Sequence, residues 1–345
     1  MSLETPAQPA ASQTPEDSPG GQPRARSRLR GLLRTALVTL AFLLALPGLL
    51  ILWLVLAPDR DPERFAYLPL PSVVAQHSEP YAGEGCPNGS QCRDVTLELT
   101  RQAPIRFTVS LPEASEAEGL PVVVLFGGFR TGREAMKHLP ELGRNAVITY
   151  EYPVDRARWK EASALERLWL MERASRATPR QLATLAAWTA TQAWADPSRV
   201  TLVGVSLGAL LLPAAQRLAQ SSGHWLGSSA LVYGGAETRR LVLANLEIEP
   251  DWLRRAAAEL ATIIARPIEP GEHLPHLQGA FLLINGRHDK RVPIESAQRL
   301  HELAPEPKQV VVLESGHIDP NDTALLAEIL TVAGDWLRAR GAVNP

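Results

Sequence analysis

Apolar and polar positions along this chain fall into three successive patterns. From residue 35 to 57 the sequence is an uncharged apolar run of 23 residues. At about 1.5 Å per residue, a helix of that length reaches roughly 34 Å, enough to cross a hydrocarbon layer of about 30 Å. From 94 to 111 the pattern is alternation, with Val95, Leu97 and Leu99 set against Thr96, Glu98 and Thr100, followed by Ile105, Phe107, Val109 and Leu111 at every second position. That period predicts an antiparallel pair of strands with one wet face. Beyond 120 the pattern changes again: 122–126, 147–150, 200–205, 230–233, 280–284 and 310–313 are short, nearly unbroken apolar runs. Parallel strands covered by helices on both faces read this way.

Helical stretches separate those runs. Thr178-Pro179-Arg180-Gln181 reads as a capping box with proline at the first helical position, opening a helix to about 195. Further helices are predicted over 207–219, 251–265, 295–303 and 323–340. Strand and helix therefore alternate, which defines an α/β fold with a doubly wound, mostly parallel sheet, helices on both faces and an antiparallel hairpin at its start. Two longer segments, 156–177 and 235–277, read as packing helices or as a lid over a substrate cleft.

Composition narrows the class. The chain is 45% apolar and 21% charged, a globular balance, and its 35 basic and 37 acidic residues leave a net charge of -2. Nothing in that balance pulls it toward nucleic acid. The first 23 residues are rich in Pro, Ala, Ser, Gln and Gly and are followed by Arg24, Arg26, Arg28, Arg30 and Arg34. This predicts a disordered tail over 1–34 with a basic flank, a transmembrane helix over 35–57, a linker and disulfide loop over 58–92, and a folded domain over 93–345. A cleaved signal peptide and a buried core helix are the alternatives for 35–57. The arginines before the span place the N-terminus in the cytoplasm and everything after it outside, in periplasm or extracellular space. In such a compartment Cys86 and Cys92, bracketing the turn-rich Pro87-Asn88-Gly89-Ser90-Gln91, are expected to form a disulfide. With His77 they fall one ligand short of a zinc site.

Candidate chemistry sits at strand ends. Gly204-Val205-Ser206-Leu207-Gly208 fits G-x-S-x-G at a predicted strand-to-helix turn, where a strained serine exposes its hydroxyl and the flanking glycines avoid collision with neighbouring backbone. A serine needs a base to take its proton, and the base needs an orienting acid. Asp289 follows the strand at 280–284 and His317 follows the strand at 310–313. Parallel strands bring those ends to one edge, so Ser206, His317 and Asp289 can converge as nucleophile, base and acid. His288 is a rival base beside the acid. Gly127-Gly128-Phe129 ends the strand at 122–126, and the N–H groups of Leu207 and Gly128, with Phe129 as substitute for the latter, suit a developing oxyanion. His273 and His276, His-x-x-His in a proline-rich loop, read as solvated rather than metal-bound. No G-x-G-x-x-G follows a strand and no G-x-x-x-x-G-K-[ST] occurs, so no cofactor is expected.

With these motifs in this order, the chain over about 97–340 resembles the α/β-hydrolase family. The resemblance implies an eight-stranded, mostly parallel sheet, Ser206, Asp289 and His317 as the triad, and a helix beginning near Val292-Pro293. One departure is visible: relatives often carry His-Gly before the oxyanion loop, and here Phe126 stands in that place. The expected activity is cleavage of a carboxylic ester in a small-molecule or lipid acyl substrate through an acyl-enzyme. A thioesterase or peptidase on the same residues, and a hydrolase-fold binding protein without turnover, are the alternatives.

Overall fold

The computed structural model describes residues 60–113, 118–128, 131–140, 143–224 and 226–345, together with positions 34–37, 39, 45, 48–49, 52 and 56–57. The chain divides into two units, Met1–Trp53 and Leu54–Pro345. In the first, the described positions are helical and exposed. Among the described residues no helix is long and apolar enough to cross a membrane. The span predicted over 35–57 lies mostly outside the described residues, as does the tail before it.

The second unit is built on a sheet whose strands are β1 (Val73–Pro80), β2 (Ser90–Leu99), β3 (Gln102–Pro112), β4 (Leu120–Phe126), β5 (Ala146–Glu151), β6 (Ala195–Val205), β7 (Ser228–Val232), β8 (Ala280–Gly286) and β9 (Lys308–Leu313). Their spatial order is β1-β2-β3-β5-β4-β6-β7-β8-β9. β1, β2 and β3 form an antiparallel ribbon that joins β5 antiparallel, and β5, β4, β6, β7, β8 and β9 run parallel. The sheet thus has nine strands where eight were expected. The extra one, β1, lies in the stretch read as linker, and β2 also starts inside that stretch, at Ser90. All eight residues of β1 are exposed, so burial imposes no alternation on its sequence. It pairs with β2 at the sheet edge through its backbone.

Alternate residues of the central strands face opposite cores, as a period of two requires. Val122, Val124, Phe126 and Leu202 join Leu182, Leu185, Leu211 and Leu212 from the helices Ala164–Thr189 and Leu207–Ser221. On the other face Val203, Ala230, Val232, Leu282 and Ile284 meet Ile329, Trp336 and Leu337 of the helix Thr323–Ala339.

The helix expected to start at Thr178 does not start there. One helix runs from Ala164 to Thr189 with Pro179 inside it, capped by Ser163, whose side chain accepts from the Glu166 N–H. Gln181 serves the core rather than a cap: its Oε1 accepts from the Tyr150 hydroxyl and its Nε2 donates to the Ala103 carbonyl at 2.9 Å. Satisfying a buried phenol and a strand carbonyl offsets the hydrogen bond that Pro179 removes.

The two histidines of His-x-x-His part company. His276 is exposed, but His273, expected to be solvated, is fully buried. Its Nε2–H donates to the Pro267 carbonyl at 2.8 Å, and Nδ1 has no partner among the described residues. Burial, aided by the nearby Arg217 charge, pushes the imidazole down to about 4. His301 is also lowered to about 4 by burial. Between the unfolded value near 6.5 and about 4, the unfolded chain binds protons that the folded chain refuses. Stability is therefore fully present above pH 6.5 and declines on acidification, with His273 alone costing about 2 kcal/mol at pH 5. Urea unfolding at pH 8 and pH 5 checks this; a midpoint that stays constant or rises on acidification contradicts it.

Candidate active site

β4 and β6 are neighbours, with β5 on the far side of one and β7 on the far side of the other. The connections that leave their C-terminal ends diverge to opposite sides, and the crevice opened there is where sheets of this kind bind ligands. Ser206 stands at this point, directly after β6 and before the helix Leu207–Ser221, with φ +56° and ψ -114°. Such a conformation costs about 1–3 kcal/mol and persists only where the surroundings enforce it. Here the enforcement is close approach of backbone. A Cβ on Gly204 would lie 2.6 Å from the Gly208 carbonyl oxygen, and one on Gly208 would lie 2.0 Å from that of Phe126. The Ser206 N–H is tied to the Val232 carbonyl at 2.8 Å. Its side chain makes no capping bond to the helix it precedes; instead Oγ lies 2.9 Å from His317 Nε2.

His317 Nδ1 lies 2.7 Å from Asp289 Oδ2. The Asp289 side chain is fully buried, and its other oxygen, Oδ1, accepts from the N–H groups of Arg291 and Val292 at 2.8 and 2.9 Å. A carboxylate facing Nδ1 holds the proton on that nitrogen and leaves Nε2 to accept from the serine hydroxyl. The loops carrying acid and base are laced together: the Arg287 N–H donates to the Leu313 carbonyl and the His288 N–H to that of Ser315. A Cβ on Gly286 would sit 2.6 Å from the carbonyl oxygens of Ser315 and Gly316, so only glycine lets the loops approach this closely. His288 itself is exposed and pairs with Glu314 at 3.2 Å. The chain continues from Asp289 through Val292 and Pro293 into the helix Ile294–Leu303, as the resemblance implied.

On the β4 side, the Gly127 carbonyl accepts from the buried Tyr152 hydroxyl at 2.6 Å, and the Gly128 carbonyl accepts from Thr131 N–H and Oγ–H at 3.1 and 2.9 Å. Leu207 is the first residue of its helix, so its N–H has no intrahelical acceptor. Gly128, Leu207, Ser206 and His317 line one cavity of about 880 Å³. Phe129, the substitute donor, lies outside the described residues. The Phe126 side chain is fully buried in the core, so it takes no part at the loop surface where relatives often carry histidine. No residue of 156–177 or 235–277 is among those lining the cavity. The second of these segments folds as the helices Thr238–Asn245 and Asp251–Ala265 and short turns after them.

Three contributors escaped the sequence reading: Tyr152, Thr131 and Tyr233. Tyr233 has φ +56° directly after β7, packs edge-on to the His317 ring with centroids 5.7 Å apart, and is hydrogen-bonded through its hydroxyl to Ser315 Oγ. Tyr152 and Tyr233 each follow an apolar strand run, and an aromatic hydroxyl at the active edge of the sheet was the signal available for both. Away from the site, Cys86 and Cys92 are joined by a disulfide. Among the described residues no group of three or more His, Cys, Asp or Glu could hold a metal ion.

No family model matches the chain, and no curated protein matches its sequence. Solved structures do. Acetyl xylan esterase 1 from a Thermoanaerobacterium species aligns with a TM-score of 0.56 at 15% identity, covering 76% of this chain and 88% of that one. An acetyl xylan esterase from a Paenibacillus species aligns with a TM-score of 0.56 at 15% identity, covering 77% and 89%. The acylaminoacyl peptidase of Pyrococcus horikoshii aligns with a TM-score of 0.50 at 13% identity over 73% of this chain and 42% of its own. Likeness at this identity is one of fold, and the fold is α/β-hydrolase-like with a large, mostly parallel sheet.

Proposed function

We propose that this chain is a membrane-tethered serine hydrolase that cleaves a carboxylic ester. The observation that carries the reading is the relay Ser206 Oγ to His317 Nε2 at 2.9 Å and His317 Nδ1 to Asp289 Oδ2 at 2.7 Å, mounted on a strained elbow. Ser206 Oγ attacks the ester carbonyl carbon while its proton passes to His317 Nε2. The tetrahedral oxyanion is met by the N–H groups of Leu207 and Gly128. The C–O bond to the alcohol then breaks, and the alcohol leaves with the proton held by His317. Water, deprotonated by the same imidazole, attacks the acyl-enzyme; its collapse returns the proton to Ser206 and releases the acid.

The tether rests on the apolar run over 35–57 and its flanking arginines. The Cys86–Cys92 disulfide fits a catalytic domain on the oxidising side of the membrane. Steady-state turnover of matched ester, thioester and anilide substrates by the full chain tests the chemistry. The ester is expected to give the highest kcat/KM; faster cleavage of the thioester or anilide replaces the reading, and no turnover of any removes it. Recovery of the chain in the membrane pellet after alkaline carbonate extraction is the expected result for the tether, and release into the supernatant opposes it.

A further inference from the structure

Central strands of a parallel sheet are normally covered on both faces. β4 is not. Val122 and Val124 are fully buried on one side, while Val123 and Leu125, on the other, are only half-buried. The cause lies in the crossover from β4 to β5, whose described residues hold a single 3-10 helix, Gly132–His138, where an α-helix would cover that face. The space left over is the cavity that holds Ser206 and His317. Its roof is Val123, Leu125 and Val203 of the sheet, and its floor is a stripe of the helix Thr323–Ala339 formed by Leu326, Leu330 and Ala333.

The cavity has length. Val123 pairs with Thr201, five residues before Ser206, which sets it about 16 Å along the strands from the nucleophile. Leu326 to Leu337, eleven residues apart on the floor, span about the same distance. Roughly a dozen methylenes fit in that reach. Arg291, Asp319, His138 and Arg338 also line the cavity, and Arg338 follows Leu337 on the floor helix. Asn145 and Asn344 also line the cavity and are tied together: the Asn344 N–H donates to Asn145 Oδ1 at 2.7 Å, and Asn145 Nδ2 donates to the Asn344 carbonyl at 3.3 Å.

We propose that this groove beneath the sheet holds the acyl chain of the substrate, so that the substrate class is a long, unbranched fatty acyl ester. The inference rests on the serine-hydrolase reading and adds the direction in which the acyl group lies. Between the polar groups at its margins, the aliphatic side chains of Val123, Leu125, Val203, Leu326, Leu330 and Ala333 give an alkyl chain apolar contact that a sugar or peptide would not use as well. Each methylene that enters is expected to raise kcat/KM about fourfold until the groove is full.

A dodecyl fluorophosphonate carrying a terminal diazirine tests this on the full chain in its membrane. Phosphonylation of Ser206 expels fluoride and anchors the alkyl chain, and irradiation then marks what surrounds its tip. Crosslinks are expected on 330–337 and on the peptides bearing Val123 and Val147. Crosslinks confined to the helices of 238–265 or to lipid overturn the groove while leaving Ser206 as nucleophile; absence of any Ser206 adduct overturns the hydrolase reading instead. A kinetic test is independent of probe chemistry. Ala333 lies about 10 Å down the floor from Leu326, so Ala333→Phe should block the deep end. The ratio of dodecanoyl to butanoyl kcat/KM is expected to fall about a hundredfold relative to the unaltered chain, and an unchanged ratio contradicts the proposal.

Discussion

Ser206→Ala is expected to lower ester hydrolysis by about a millionfold. Removing Oγ leaves no atom able to form the acyl-enzyme, so any residual turnover must come from water reaching the carbonyl while Leu207 and Gly128 still polarise it. The fold has no reason to suffer. Ser206 Oγ makes no capping bond, and what holds the elbow is backbone: the Ser206 N–H on the Val232 carbonyl and the contacts around Gly204 and Gly208. Alanine keeps that N–H. The positive φ is strained for serine and alanine alike, so the unfolding midpoint should stay close to that of the unaltered chain. Loss of activity accompanied by loss of folding would point to a structural role for the hydroxyl, and retained activity would remove the nucleophile.

Asp289→Asn should cost about ten-thousandfold in kcat. The carboxylate has two faces with separate tasks: Oδ1 receives the Arg291 and Val292 N–H groups, and Oδ2 receives His317 Nδ1–H. An asparagine satisfies the first pair only by keeping its oxygen there, which turns its NH₂ toward His317. Facing that donor, Nδ1 must give up its proton and Nε2 must carry it, so the imidazole can no longer accept from Ser206. The alternative flip sets an NH₂ against the N–H groups of Arg291 and Val292, the second of them buried, which is worse. The substitution therefore acts through the tautomer with little change in position. KM should move far less than kcat, and a comparable loss in KM would show that Asp289 shapes the binding cleft instead.

Those residues were legible because their chemistry and their placement agree. Each follows an apolar run, and parallel runs must deliver their ends to one edge, so Ser206, Asp289 and His317 meet once the strands are recognised. What escaped detection was structure whose signal is not burial. β1 exposes every residue and pairs through its backbone, leaving no periodicity to read, and so a nine-stranded sheet looked like eight. Pro179 misled for the opposite reason: proline and a capping pattern are strong local signals, yet the buried bonds of Gln181 to Tyr150 and Ala103 hold the helix through them. His273 looked like a loop residue because Pro270 and Pro275 stand close on either side of it in the sequence; only the packing around it makes it core. The groove under β4 was invisible because it results from the absence of an α-helix among the described residues between β4 and β5.

The most direct measurement is the mass of the adduct formed when the purified full chain reacts with a small fluorophosphonate. A single modification is expected on the peptide that contains Ser206, formed by the native chain and lost when the chain is unfolded before reaction. A modification on another residue, or an unmodified chain under conditions that label a known serine esterase, contradicts it.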